Sequence, residues 1–397
     1  MSSLNETPRA NRLHIGIFGK RNSGKSSLIN ALTNQNIALI SDVAGTTTDP
    51  VYKAMEIHGI GPCVFIDTPG FDDEGRLGEM RVEQTVKALD KTDFAILVFT
   101  DGEIDKELEW LEEFKKRNTP FLAVINKGDL LREPEALQAL IKEKSGVKPL
   151  VVSAKEKKGM DKIREQIIRS LPDDFESESI TGGLCGEGDI VLLVMPQDIQ
   201  APKGRLILPQ VQTIRELLDK KCIPISCTLD KLEQALSALS KPPVLIITDS
   251  QAFRTVYDIK PPESKLTSFS VLFAAYKGDL EFFLEGSENL DRLTENSHVL
   301  IAEACTHAPL TEDIGRVKIP MMLRKRYGKG LSIDMVSGTD FPEDLSKYDL
   351  IIHCGACMFN RKYVLARAAR AKSQSVPMSN YGLTLAHLMG VSENINY

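Results

Sequence analysis

No stretch of the 397 residues reaches the roughly 18 consecutive apolar residues that carry a helix across a bilayer. The amino-terminal segment MSSLNETPRANRLHIG also lacks the apolar core of a secretory signal. A cytoplasmic protein with no membrane partner is therefore expected. Basic residues are not in excess: the formal net charge is −6, which weighs against a general nucleic-acid binder. There is no low-complexity tract and no repeat with a period of roughly 20 to 50 residues. Seven cysteines in a chain without an export signal read as thiols or metal ligands rather than as a disulfide framework.

What is present is an ordinary globular composition, 42% hydrophobic and 26% charged, long enough for two or three domains. In the first segment RLHIGIFG, CVFIDTPG, FAILVFT, FLAVINK and LVVSA read as strands buried on both faces. They alternate with helical stretches, which is the pattern of a mostly parallel, helix-covered sheet. PDDFESESITGGLCGEG after Leu171 is acidic and Gly-rich and reads as a linker. The middle segment repeats the alternation with DIVLLVMP, CIPISCT and PVLIITD as strands and VQTIRELLDKK and LDKLEQALSAL as helices. It holds no phosphate loop and no cluster of titratable groups, as suits an assembly module. DIKPPESK, 258–265, reads as a second linker. The third segment opens with one helical stretch, FSVLFAAYKGDLEFFLEG, followed by strands HVLIAEA, LSIDMVS and YDLIIH. The first and last of these strands run into cysteine motifs, and in open α/β sheets sites form beyond the carboxyl ends of strands.

The first motif is GKRNSGKS, Gly19 to Ser26, the spacing of a phosphate loop between a strand and a helix. Backbone N–H groups of Gly19, Asn22, Ser23, Gly24, Ser26 and Ser27 then face phosphates at a helix N-terminus. Lys25 reaches the β- and γ-phosphates, and Ser26 binds Mg²⁺. GTTTD, 45–49, offers Thr47 as a second Mg²⁺ ligand. In DTPG, Asp67 holds Mg²⁺ or its water, and the Gly70 N–H senses the γ-phosphate. Lys25, Thr47 and Gly70 are the expected catalytic residues. NKGD reads guanine: Asp129 accepts from its N1–H and amine, which adenine lacks, while Asn126 and Lys127 shape the pocket. Ser153, Ala154 and Lys155 complete it. GTP rather than ATP follows. Phe71 stands after Gly70 where Ras-type enzymes carry a water-orienting Gln, so hydrolysis should be slow. The domain resembles the MnmE/Era/EngA group of GTPases, in which an Asn at the place of Asn22 helps bind K⁺. Asn22 also has a plain reading as a turn residue.

The second constellation is CTH, 305–307, with HCGAC, 353–357. Cys63, Cys222 and Cys227 lie in or beside strands and read as buried small side chains; Cys185 reads as a free thiol. Cys305, Cys354 and Cys357 instead sit among polar donors at strand ends. Three thiolates with an imidazole suit tetrahedral Zn²⁺, and three with an open fourth position suit a [4Fe–4S] cluster. A thioredoxin-like pair is the competing reading and leaves CTH unexplained. Two features favour iron–sulfur. MFNRKYVLARAARAK reads as a helix starting directly after Cys357, its positive end toward an anionic cluster. Arg316 to Lys372 also carries twelve Lys or Arg against five Asp or Glu, a local +7 that attracts anions. For the fourth ligand Glu312, His307, His353 and Asp313 are candidates. Glu312 is favoured because an oxygen donor leaves iron readily.

With these motifs and EGDIVLLVMPQDIQAPKGRLILPQ, the chain resembles, over essentially its whole length, the HydF family of GTPase maturation factors of [FeFe]-hydrogenase. Relatives carry a second His where Ala308 stands here. The resemblance implies an α/β fold with a P-loop GTPase domain at 1–172, a linker at 173–189, a dimerisation domain at 190–260 and an iron–sulfur domain at 261–397. It implies a [4Fe–4S] cluster on Cys305, Cys354 and Cys357. It also implies a homodimeric scaffold that receives a transient di-iron precursor, made with two radical-SAM maturases, and delivers it to apo-[FeFe]-hydrogenase. The alternative from another class is a ribosome- or RNA-associated assembly GTPase with a structural zinc site. A thiol redox sensor built on Cys354 and Cys357 is a third.

Overall fold

A computed structural model describes residues 12–33, 50–57, 61–71, 75–170, 179–195, 206–304, 314–338, 340–357 and 359–397. They fall into two compact units, Met1–Phe175 and Glu176–Tyr397.

Unit 1 runs β1 (Leu13–Gly19), α1 (Lys25–Thr33), β2 (Val51–Ile57), β3 (Gly61–Asp67), α2 (Gly75–Leu89), β4 (Phe94–Phe99), α3 (Asp105–Lys116), β5 (Phe121–Ile125), α4 (Pro134–Ser145), β6 (Leu150–Val151) and α5 (Met160–Ser170). The sheet order is β2-β3-β1-β4-β5-β6. All pairs are parallel except β2 against β3, where Val51 faces Asp67. The sequence reading omitted β2, whose mixed VYKAMEI lacks the apolar run of an inner strand and belongs at an edge. Every residue of β1 and β4 is buried, because helices cover both faces. Ile15 and Ile17 face a core built with α1 and α5. Phe18 faces the other, with Phe99, Trp110 and Phe114. Each fully buried Phe contributes about 1.5–3 kcal/mol, so the alternation along β1 fixes which loop follows it and where.

Unit 2 runs β7 (Ile190–Val194), α6 (Leu208–Asp219), β8 (Ile223–Cys227), α7 (Leu232–Ser237), β9 (Leu245–Thr248), α8 (Phe253–Ile259), β10 (Lys265–Ser268), α9 (Phe269–Lys277) and α10 (Leu280–Glu288). It continues with β11 (His298–Ala302), α11 (Ile319–Tyr327), β12 (Ser332–Val336), β13 (Leu350–His353), α12 (Arg361–Ser373), β14 (Met378–Asn380) and α13 (Tyr381–Leu388). Two parallel four-stranded sheets result, ordered β10-β9-β7-β8 and β12-β11-β13-β14. Beyond the sheets one buried cluster joins Leu192 and Ile246 of the first to Leu300 and Ile351 of the second, with Val271, Ala274 and Phe283 between. At one end of each sheet, β8 and β12 show exposed and half-buried residues in the same order.

Three expectations are corrected. DIKPPESK is not a linker: it ends α8, turns, and enters β10, whose Lys265 pairs with Leu245. FSVLFAAYKGDLEFFLEG is two helices, because the chain leaves the helix at Gly278 and Asp279 accepts from the Phe282 N–H at 3.1 Å to cap the next one. Gly278 packs so closely on Phe283 that a Cβ would lie 2.3 Å from its ring. The helix after Cys357 begins only at Arg361, since Asn360 is still extended. The segment from Ser179 also packs on the unit: Glu216 accepts from the N–H groups of Ile180 and Thr181 and from the hydroxyls of Ser179 and Thr181. Burial raises the Glu216 carboxyl, but these bonds outweigh it and hold it below its ordinary range.

α10 meets β14 at Gly286, where an added Cβ would sit 2.0 Å from the Met378 carbonyl oxygen. Backbone cannot yield as a side chain can. Gly286→Ala should destabilise unit 2 by about 1–3 kcal/mol, read as a lower denaturant midpoint; an unchanged midpoint would contradict this packing.

Candidate functional site

In unit 1 the phosphate loop closes between β1 and α1. Asn22 and Gly24 adopt left-handed φ of 60° and 86°. A Cβ at Gly24 would lie 2.4 Å from Asn126 Nδ2, so this turn needs glycine. For Asn22 the left-handed conformation alone accounts for an asparagine. Lys25 Nζ donates to the carbonyls of Gly19 (2.9 Å) and Lys20 (2.8 Å). Ser26 Oγ donates to Asp67 Oδ2 at 2.5 Å. A hydroxyl and a carboxylate brought together at the carboxyl ends of β1 and β3 are hard oxygen donors that fit Mg²⁺. Ser23 Oγ is buried with no hydrogen-bond partner among the described residues, as suits a loop whose partner is a ligand. Thr47 lies outside the described residues.

Asn126 is the hub of the base-side loops. Its Nδ2 donates to the Ser23 carbonyl (3.0 Å) and its Oδ1 accepts from the Ala154 N–H (3.1 Å). One buried amide thus fixes the distance between phosphate loop and base pocket. Lys127 is left-handed, φ 58°, and Gly128 donates to the Val152 carbonyl. Asp129 is exposed, with one oxygen accepting from Ser153 Oγ at 2.6 Å. That bond holds the carboxyl below its ordinary value. Ser27 and Lys155 are exposed around the same loops and Gly70 is buried.

Two neighbours escaped the sequence reading. Lys20 of the phosphate loop donates to Asp101 Oδ1 (3.3 Å) and to the Glu103 carbonyl, and lies 3.6 Å from Glu107 Oε2. Glu107 is 1% exposed and shares the inner face of α3 with Trp110, Leu111 and Phe114. The signal was its place in that i, i+3, i+4, i+7 stripe. Phe71 is buried, its ring stacked on Trp110.

In unit 2 the cysteine loop leaves β13. Ala302 pairs with His353 across β11 and β13, and the Cys354 N–H donates to the Ala302 carbonyl at 3.0 Å. Cys354 Sγ accepts from the N–H groups of Ala304 (3.0 Å) and Ala356 (3.4 Å). Two backbone N–H groups are thus aimed at one sulfur and fix where it lies. Ala356, at φ 45°, makes the turn that returns its N–H. Cys357 is half-buried. The loop is pinned from below by Lys277, which is 1% exposed and donates to the carbonyls of Ala356 (3.3 Å), Cys357 (3.1 Å) and Phe359 (2.8 Å).

His353, a candidate fourth ligand on sequence grounds, has both ring nitrogens engaged. Nε2 faces Arg367 Nη1 at 3.0 Å and Nδ1 faces the Cys354 carbonyl at 2.6 Å. Arginine only donates, so Nε2 accepts and Nδ1 carries the proton. Burial first, then the Arg367 charge, pushes this imidazole down to about 3. Arg367 in turn donates to Gly338 and Tyr363 and lies over the rings of Phe341 and Tyr363. Cys305, His307, Glu312 and Asp313 lie outside the described residues. Among the described residues no three His, Cys, Asp or Glu come close enough to hold a metal ion.

Cys63 is buried and pushed up to about 12 by burial. Burial, then the neighbouring Cys185 thiol, pushes Cys222 up to about 11. Raised values disfavour the thiolate form at both. No described helix is long and apolar enough to cross a membrane.

A phosphate loop, a Ser–Asp pair and a base pocket at the carboxyl edge of one parallel sheet define a GTPase-type P-loop protein, here followed by a second α/β unit. The comparisons agree: residues 14–127 match the family model of the 50S ribosome-binding GTPases. Residues 180–278 match the hydrogen maturase F dimerization domain and 281–395 the hydrogen maturase F tetramerization domain. The two maturase models take in over half of the chain, which belongs to the hydrogen maturase F (HydF) family. Among curated relatives, the tRNA modification GTPase MnmE of Flavobacterium johnsoniae is 34% identical over 40% of this chain and 35% of its own length. GTPase Der of Wolinella succinogenes is 34% identical over 43% and 37%. The chain thus spans little more than a third of the length of these relatives. A crystal structure of Aquifex aeolicus Era bound to GDP·AlF4− is 20% identical over 54% of this chain and 92% of that one, with a TM-score of 0.36.

Burial outweighs Lys20 and lifts Glu107 from its ordinary 4.5 to about 7. The folded chain therefore holds a proton there that the unfolded chain has lost, so this group's share of stability falls as pH rises from about 4.5 to 7. Glu107→Gln should flatten that part of the profile. In thermal melts at pH 5 and 8, wild type should lose more stability than the variant; parallel profiles would refute this.

Proposed function

We propose that this chain binds and hydrolyses GTP in unit 1 and carries a [4Fe–4S] cluster in unit 2, as a scaffold in maturation of [FeFe]-hydrogenase. The observation that carries the second half is the seating of Cys354. Its sulfur accepts from the Ala304 N–H, and Ala304 precedes Cys305 in the chain. The strand pairing that holds Cys354 thus also holds Ala304, the residue before Cys305 in the sequence, and Cys357 follows Cys354 on the same loop. These three thiolates would hold the cluster, with Glu312 or His307 as the fourth ligand. Bound there, the cluster would supply a docking point for a di-iron precursor bearing CO and cyanide. That cargo would come from two radical-SAM maturases and pass to apo-[FeFe]-hydrogenase in the cytoplasm.

Anaerobic reconstitution tests it. The intact chain should take up about four irons and four sulfides, show a reduced-cluster EPR signal, and lose both in Cys354→Ala. Stoichiometric zinc without an EPR signal would overturn the reading and make HCGAC a structural clip.

In unit 1, Lys25, Thr47 and Gly70 would act on the γ-phosphate, with Mg²⁺ on Ser26, Thr47 and Asp67. The guanine would lie against Asn126, Lys127, Asp129, Ser153, Ala154 and Lys155. No side chain stands after Gly70 to orient water, because Phe71 is stacked into the core. Turnover should therefore be slow, and K⁺ at Asn22 would supply part of the missing charge stabilisation. Potassium in place of sodium should raise turnover by about tenfold or more, and Asn22→Ala should remove the gain. Equal rates in the two salts would exclude it.

A further inference from the structure

Helix α3 touches both loops that border the phosphates. The phosphate loop reaches it through Lys20, against Asp101 and the Glu103 carbonyl just before the helix and Glu107 in its first turn. The DTPG loop reaches it through Phe71, whose ring lies 5.5 Å from that of Trp110 at an interplanar angle of 26°. Trp110 continues the stack to Phe18, 5.8 Å away at 27°, and Phe18 directly precedes Gly19. Phe71 is 4% exposed and Trp110 9%. The stack therefore runs from the residue after Gly70 to the residue before the phosphate loop.

We propose that Trp110 is the positioning residue for Phe71, and through it for Gly70, so that α3 responds to whether the γ-phosphate is present. The proposal rests on the GTPase reading above. Gly70 and Phe71 are joined by one peptide, about 3.8 Å from Cα to Cα, so a clamped Phe71 ring leaves Gly70 little freedom. If the Gly70 N–H turns toward a γ-phosphate, then either Phe71 leaves Trp110 or α3 moves with it. Both change the surroundings of Trp110. Aromatic pairs at this offset gain attraction beyond simple burial, which makes the clamped arrangement a defined state rather than a loose contact. Both rings are buried against each other, so the role proposed for them is in placement and not in binding.

The chain has a single tryptophan, which makes the test direct. Emission of Trp110 is recorded on the full chain saturated with Mg²⁺ and either GDP or a non-hydrolysable GTP analogue, binding being verified by calorimetry. The emission maximum should shift to the red with the analogue relative to GDP. Phe71→Leu, which keeps an apolar filler without a ring, should lose the difference between the two nucleotides. Phe71→Tyr, which keeps the ring, should restore it. In Phe71→Leu kcat should change while KM for GTP stays within about twofold, the signature of an interaction outside ground-state binding. Identical emission with both nucleotides bound, or a difference that persists in Phe71→Leu, overturns the proposal. Failure of either nucleotide to bind would instead sink the GTPase reading, and the relay with it.

Discussion

Neighbouring parallel strands finish at the same edge of their sheet, so the loops after β1, β3, β5 and β6 have to meet, and so do those after β11 and β13. Everything the two units offer chemically follows from that geometry. In unit 1 it brings a hydroxyl of the phosphate loop to the carboxylate of DTPG, and the amide of NKGD to a carbonyl of that same loop. In unit 2 it carries a backbone N–H of one strand end to the sulfur on another. The helices contribute by covering the faces, which leaves the carboxyl edge as the place where polar groups can converge without being sealed in.

Three buried polar side chains then set the loops. Asn126 spans phosphate loop and base pocket, Lys277 gathers three carbonyls under the cysteine turn, and Arg367 orients His353 while lying between two aromatic rings. A buried ammonium is tolerated only where acceptors surround it, so Lys277 requires the turn as much as the turn requires Lys277. The same reciprocity explains why His353, next in sequence to a cysteine, is a strut: its environment removes both nitrogens from use.

The motifs of unit 1 were legible because fixed spacing in GKRNSGKS, DTPG and NKGD encodes a backbone shape. The strands were legible because they are buried on both faces. Glu107 was overlooked although it occupies the apolar stripe of α3, since a charged residue reads as surface until its partner Lys20 is known. Lys277 and Arg367 gave no signal. Each is one basic residue near others, and only the fold shows that it faces inward. The single helix expected across Gly278 failed because one glycine was weighed too lightly against eighteen residues of apolar pattern, and DIKPPESK because two prolines were weighed too heavily. The cysteines of CTH and HCGAC were readable as candidate ligands, but the N–H groups that face Cys354 Sγ belong to the backbone, which no residue letter records.

β8 and β12 each end a sheet with no fully buried residue, and among the described residues each leaves one side of its backbone unpaired. Such rows of N–H and C=O groups are templates for further strands. A strand laid on either edge would cover such a template, so association and protection from aggregation would draw on the same backbone groups. Were a second copy to supply that strand, concentration would become a structural variable, since dilution would uncover the template.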